Sequence, residues 1–193
     1  CTILANIEVA VVVDAFGLEQ TLGNTLFASS FLATDILSEC FGKKESKKGV
    51  LIGISTSIIF ILFTLIWINY IPSQNDVCHP FLKSLFTNTP RILISSLIAY
   101  IVSEFADVQL YHLIWNITKN KSGDEKKFLW LRNNLATLIA QFINIVIFNF
   151  GAFYKIYDFQ TLLTITSSCY IIYIATSLLD TPFIYIARKI KKD

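Results

Sequence analysis

Methionine is absent from the 193 residues, and charge is scarce: Asp, Glu, Lys and Arg together make up only 16%. A soluble domain usually carries about 25% charged residues, so this composition points to a membrane protein. The four cysteines (Cys1, Cys40, Cys78 and Cys169) have no CxxC or paired spacing, which excludes a readable disulfide framework or zinc site. Cys78-His79 are two adjacent residues and do not make a metal site. There is no Gly-rich phosphate loop, HExxH, GxSxG or basic-aromatic patch, so no cofactor or metal is expected and no ATP-driven, hydrolytic or nucleic-acid-binding chemistry can be read. No cleavable signal peptide is recognisable. Since the chain opens on Cys1 inside an apolar run, it reads as a single transmembrane domain, 1–193, that lacks its true N-terminus.

What the chain has is apolar length. Hydrophobic residues make up 54% and the mean hydropathy is +0.58. Residues 50–70 carry no charge and would reach about 31 Å as a helix, enough to cross the hydrocarbon core. Five less pure segments follow the same plan, at 1–17, 23–41, 92–115, 128–150 and 161–186. The expectation is an all-α integral membrane protein with a bundle of about six transmembrane helices. The connection at 72–89 is too short for a folded cap.

The net charge of +2 matters less than where the charges stand. Lys43, Lys44, Lys47 and Lys48 follow the second span. Lys119, Lys121, Lys126 and Lys127 follow the fourth, and Arg188, Lys189, Lys191 and Lys192 follow the last. The intervening connections hold only Lys83 and Lys155. Basic clusters on every second connection satisfy the positive-inside rule and put both chain ends in the cytoplasm.

Inside the spans polar residues are few and patterned. Asp35 and Glu39 stand one turn apart in the second span, where a charge costs roughly 2.5–3.5 kcal/mol at mid-depth. Glu39 lies near the lysines, and an interfacial ion pair with Lys43 would account for it. Asp35, one turn deeper, implies a polar cavity or an internal partner. In the fourth span Tyr100, Glu104, Asp107 and Tyr111 share a face, with His112 off that stripe and read as structural. Carboxylates flanked by aromatics suit a ligand with several N–H donors and a flat ring, although an ordinary polar seam has the same pattern. Pro90-Arg91 reads as an interface anchor. In the fifth span Asn134, Thr137, Gln141 and Asn144 form a stripe able to hydrogen-bond a neighbouring helix, and Arg132 and Asn133 stand where a vestibule would lie. Asp180-Thr181-Pro182 should break or kink the last span, since proline cannot donate to the helix ladder. A broken helix at membrane depth lines a cavity.

The stretches FLATDILSECFGKK, PRILISSLIAYIVSEFADV, LWLRNNLATLIAQ and LLDTPFIYIA resemble, in order and spacing, the queuosine precursor transporters, also called vitamin uptake transporters. ANIEVAVVVDAFGLEQTLGN is similar to that family's first shared span and the loop after it. The resemblance covers essentially the whole chain. It implies a six-helix, multi-pass protein of the bacterial plasma (inner) membrane that imports a deazaguanine for tRNA modification and is not an enzyme. The cargo would be queuine or a cyano or aminomethyl precursor. Many bacterial members have extra residues before the first shared span. The family pattern has a lysine where Val11 stands, a serine at Ala136, an aspartate at Asn144 and a lysine at Tyr173. Losing the acid and the base together is electrically consistent if they pair, because losing one alone would leave a buried charge costing roughly 3–5 kcal/mol.

A deazaguanine presents a ring N–H beside an exocyclic amine, which one carboxylate can accept together, plus a carbonyl and a flat face. Under the resemblance Glu104, Asp107 or Asp35 supplies that carboxylate, and Asn134 and Gln141 read the remaining polar edge. Tyr100, Tyr111 or Trp130 stacks, and Glu39, Arg132, Asn133 and Asp180 complete the substrate-binding set. A cationic aminomethyl group would need a second acid. Protonation of a desolvated acid such as Asp35 would make uptake proton-driven, whereas facilitated diffusion followed by trapping in tRNA fits equally well. The partners implied are a small deazaguanine and the lipid bilayer, with no direct nucleic-acid contact, and the oligomeric state is not legible. Two other classes fit the composition: a substrate-binding subunit of an energy-coupling-factor transporter, and an intramembrane enzyme using Asp35/Glu39 or Glu104/Asp107 as general acid and base.

Overall fold

The computed structural model describes residues 2–8, 11–15, 18–87, 90–122 and 127–191. In chain order these form α1 (Thr2–Glu8), a hairpin of β1 (Val12–Ala15) and β2 (Leu18–Thr21), then α2 (Gly23–Phe41), α3 (Lys43–Asn69), α4 (His79–Thr87), α5 (Pro90–Ser122), α6 (Leu129–Phe153) and α7 (Phe159–Ile190). Four of these helices, α3, α5, α6 and α7, are long and apolar enough to cross a membrane. α2 is long enough, at about 28 Å for its 19 residues. It falls short in apolarity because it carries Ser29, Ser30, Thr34, Asp35, Ser38 and Glu39.

The expected first span at 1–17 is corrected. α1 ends at Glu8, and the chain then turns into an antiparallel hairpin with Val12 opposite Thr21 and Ala15 opposite Leu18. The valine run at 11–13 favours extended backbone, since branching at Cβ restricts these side chains in a helix. The connection at 72–89 is also more ordered than its length suggested. It holds α4, whose Phe86 packs edge-on against Phe60 of α3. Two backbone amides, of Cys78 and His79, donate to the Asp76 carboxylate at the head of that helix and hold it below the usual carboxylate range.

The lysines at 43–48 belong to a helix rather than a loop. Only Gly42 separates α2 from α3, at φ +84°, a left-handed value that glycine adopts without a Cβ penalty. Its N–H donates to the carbonyls of Leu37 and Ser38, closing α2. Nor does α7 break at Pro182: it runs unbroken from Phe159 to Ile190. Packed neighbours and Ser/Thr groups make proline tolerable inside membrane helices.

α5 and α6 form the most extensive helix pair, and half of each apolar window is buried. α7 packs on α6 and α2, while α2 also packs against α3 and α5. The corresponding windows of α3 and α7 are only 22% and 28% buried, so these two helices lie outermost among the four. α3 turns Ile52, Ile59, Leu62, Phe63 and Ile66 outward, as a lipid-facing surface requires. At one end of the bundle Arg91 of α5 donates to the carbonyls of Gly151 (2.7 Å) and Tyr154 (2.8 Å), satisfying the last turn of α6. Arg91 thus ties the start of α5 to the end of α6. At the other end the Arg132 guanidinium donates to the Lys127 carbonyl, and Lys191 lies over the Phe41 ring. The end of α2, the start of α6 and the end of α7, with the described lysines at 43–48, 127 and 189–191 on or beside them, meet there.

Candidate functional site, a buried acid cluster

A polar thread runs along the bundle between α2, α5, α6 and α7. It starts at the end away from the lysines, where the Ser96 hydroxyl donates to Asn6 Oδ1 (2.8 Å). Next, Asn144 Nδ2 donates to Ser103 Oγ (2.9 Å). Asn144 and Tyr173 line one small cavity together with Ala5, Gly23, Ser96 and Phe148.

One turn further in lies a group of three acids. Glu104 is fully buried and accepts from Ser30 Oγ (2.6 Å) and Thr34 Oγ1 (3.0 Å), one hydroxyl on each oxygen. The Asp35 and Asp107 carboxyls lie beside each other, Asp35 from α2 and Asp107 from α5. Thr137 of α6 donates to Asp35 Oδ2 (2.8 Å). Apart from the contacts that join Asp35, Asp107 and Thr137 to one another, Asp35 Oδ1 and both oxygens of Asp107 have no hydrogen-bond partner among the described residues, and neither atom of the fully buried Gln141 amide has a partner there. Gln141 stands between Thr137 and Asn144 on the face of α6 that both use, so it belongs to the same cluster. Buried polar groups are ordinarily hydrogen-bonded, so this concentration of unmet atoms makes the cluster the candidate site.

Toward the lysine-rich end, Asn134 Nδ2 (2.8 Å) and Asn133 Nδ2 (3.2 Å) both donate to Thr181 Oγ1, and Ser177 donates to Asn134 Oδ1 (3.3 Å). Asp180 is half-buried beside them, with Oδ2 unpartnered. The thread ends in a clasp. Arg132, with no exposed surface, grips Glu39 through Nη2 at 2.8 and 2.6 Å and through Nε at 3.1 Å. Arg188 approaches the same carboxylate at 3.3 Å, and the Tyr111 hydroxyl donates to it at 2.8 Å. The guanidinium of Arg132 also lies 4.3 Å from the centre of the Trp115 ring, which stacks on His112.

Several expected roles therefore move. Glu39 pairs with Arg132 and Arg188 rather than Lys43, and Arg132 is committed to that pair rather than lining a vestibule. Of the aromatics expected to stack, Trp130 is 55% exposed on the outside of α6. Tyr111 belongs to the clasp, and Tyr100 packs edge-on against Phe27 with its hydroxyl at Gly53. Asp35, Glu104 and Asp107 are brought together, with Gln141 on the face of α6 between Thr137 and Asn144; Asn133, Asn134 and Asp180 form the next layer. Sequence reasoning missed Ser30 and Thr34, whose signal was a hydroxyl at every fourth position of α2 (Ser30, Thr34, Ser38). It also missed Arg188, which among tail lysines carried no signal. Among the described residues no group of three or more His, Cys, Asp or Glu side chains is arranged to hold a metal ion.

Outward-facing apolar helices wrapped around a buried polar thread are the build of a multi-pass membrane protein. Residues 21–187 match the family described as "Putative vitamin uptake transporter", and the chain belongs to that family. It is 35% identical over 188 residues, 97% of its own length and 80% of the relative's, to the "Probable queuosine precursor transporter" of Bacillus subtilis (strain 168). No solved structure matches the chain.

Proposed function

We propose that the protein imports a queuosine precursor, a deazaguanine, across the bacterial plasma membrane by alternating access around the acid cluster. The observation that carries this reading is the set of unmet buried atoms on Asp107, Asp35 and Gln141, set beside the name of the Bacillus relative. Asp107 accepts the ring N–H and the exocyclic amine together. Gln141 donates to the ring carbonyl. Glu104 is held by two hydroxyls and shapes the field of the site from behind. Asn133, Asn134 and Asp180 line the way onward, and the clasp on Glu39 closes it. The lysine-rich end faces the cytoplasm by the positive-inside rule. The carboxyl pair is also where a coupling proton would ride, and uptake that ignores pH and uncouplers excludes that part.

The test is complementation in bacteria that neither make queuosine nor import its precursors. Cells expressing the protein are fed queuine or a precursor at low concentration, with salvage enzymes matched to each compound. Queuosine in tRNA is then scored by boronate gel shift. A shift with the parent protein, lost in Asp107→Asn at equal membrane abundance, is the expected result. No shift with any compound, beside a working control importer, overturns the proposal.

A further inference from the structure

We infer that the end of α3 away from the lysines holds a zwitterionic phospholipid with a terminal ammonium. Its acyl chain lies along the outer side of α3, and its headgroup sits in a notch between that helix and the head of α4. The inference concerns the bilayer face of the molecule and does not depend on the cargo.

Two cavities adjoin there and share Tyr70 and Ile71. The first is a groove of about 810 Å³ along the outward side of α3, formed by Leu62, Leu65 and Ile66 below Asn69. At Tyr70 the backbone turns extended and the chain leaves the helix, with Ile71 91% exposed. The second is a notch of about 310 Å³ to which Trp67, Ser73, Asp76, His79 and Leu82 contribute. Small-molecule sites run to about 300–1,000 Å³, so a headgroup fits. The depth is right for one. Lys43–Lys48 mark one face of the membrane, and the uncharged residues 50–70 reach about 31 Å as a helix. Trp67 and Tyr70 therefore emerge at the opposite headgroup level, where amphipathic rings are favoured.

The polar atoms of the notch select the headgroup. Asp76 Oδ1 accepts from the backbone amides of Cys78 (2.7 Å) and His79 (3.1 Å), which fix the carboxylate in place and keep it ionised. Those two bonds leave acceptor capacity for an ammonium, and the Trp67 and Tyr70 rings offer faces on which a cation can lie. Three residues on, His79 Nε2 is shielded from solvent and has no hydrogen-bond partner among the described residues. Buried polar atoms are ordinarily paired, and a histidine N–H is a fitting donor to a phosphate oxygen. A fixed anion beside an open donor matches a headgroup that carries a cation and an anion. A headgroup of net negative charge would meet Asp76, and no lysine or arginine is among the described residues that line the notch. The surroundings favour a lipid over a free zwitterion, because Val77, Phe81 and Leu82 are exposed around the notch and the apolar groove continues from it.

The purified full chain would be examined by native mass spectrometry from mixed micelles holding equal amounts of phosphatidylethanolamine and phosphatidylglycerol with the same acyl chains. Retention of the ethanolamine lipid at least about fivefold over the glycerol lipid is expected, the scale of one charge near a membrane surface. Asp76→Asn keeps an oxygen for the two amides and removes the charge, so it should abolish that preference. His79→Phe should lower retention of the ethanolamine lipid. Asp158→Asn, at the head of α7 on the same side of the membrane and outside the notch, should change nothing. Where Asp76→Asn fails to fold, a photoactivatable ethanolamine lipid on the parent protein decides the matter, with crosslinks expected within residues 62–82. Equal retention of the two lipids, a preference that survives Asp76→Asn, or crosslinks spread alike over α3, α5 and α7 means ordinary boundary lipid and overturns the inference.

Discussion

Glu39 and Gln141 are both buried polar residues, and they make opposite predictions. Glu39 is fully answered, by two arginines and a tyrosine. Glu39→Gln would leave the guanidinium of Arg132 buried without its counter-ion and should cost roughly 3–5 kcal/mol, seen as a lower melting temperature in detergent. Glu39→Gln combined with Arg132→Leu should recover much of that loss, and a double variant no better than the single one argues against the pair. Gln141 has nothing to lose. An unsatisfied buried amide costs about 1–3 kcal/mol, so Gln141→Leu should raise the melting temperature while uptake falls at least about tenfold. A residue that only stitched helices together would lose stability and uptake in step. The contrast was half legible in the sequence: the acids and amides stood out against an apolar background, because charge at membrane depth is conspicuous. Their partners did not stand out, since Glu39 and Arg132 are 93 residues apart and nothing local says that they meet.

At the scale of the element, the long helices were readable because apolar length is a direct signal of membrane depth. Their ends were not. The lysines at 43–48 look like a loop by composition, yet one glycine suffices for the turn and the helix starts at Lys43. The start of the chain was misread for a related reason, since an apolar run of 17 residues fits a short span as well as a helix followed by a hairpin. Two helix contacts can be tested directly. A Cβ at Gly53 of α3 would run into the hydroxyl of Tyr100, which is itself pinned against Phe27. Gly53→Val should therefore push α3 off α5 and lower the melting temperature, and Tyr100→Phe should relieve part of the loss. At the head of α7 the Thr161 hydroxyl and backbone amide donate to Asp158 and hold its carboxyl below the usual carboxylate range. A depressed folded-state pKa means that the ionised form stabilises the helix and that the contribution disappears as the pH falls through that lowered value. Asp158→Ala should melt earlier than the parent at pH 7, and the gap should close well below pH ~4, the ordinary aspartate value.

At the scale of the whole molecule, the proposed orientation can be checked with a thiol reagent that does not cross membranes. Cys78 is exposed on the connection between α3 and α4, at the end away from the lysines, whereas Cys40 and Cys169 are buried. Applied to intact cells, the reagent should label Cys78, and Cys78→Ser should remove that labelling. Labelling of Cys78 only after the membrane is opened would invert the topology. The polar thread itself was not legible as a whole. Each span showed its own stripe, but only packing shows that the stripes of α2, α5 and α6 face one another and that Tyr100 and Trp130 turn away.

α3 has one more consequence. With less than a quarter of its apolar window buried, it touches little of its own protein and meets its surroundings mainly through outward-facing side chains. Selection on such a helix acts on composition more than on identity. Its outer positions can exchange one aliphatic residue for another over generations, while Gly53, Phe60 and Thr64 on the inner side are held by contact. Across relatives, α3 should be the stretch where identity decays fastest and mean hydropathy hardly moves: a record of the membrane the protein has lived in, carrying almost no record of its cargo.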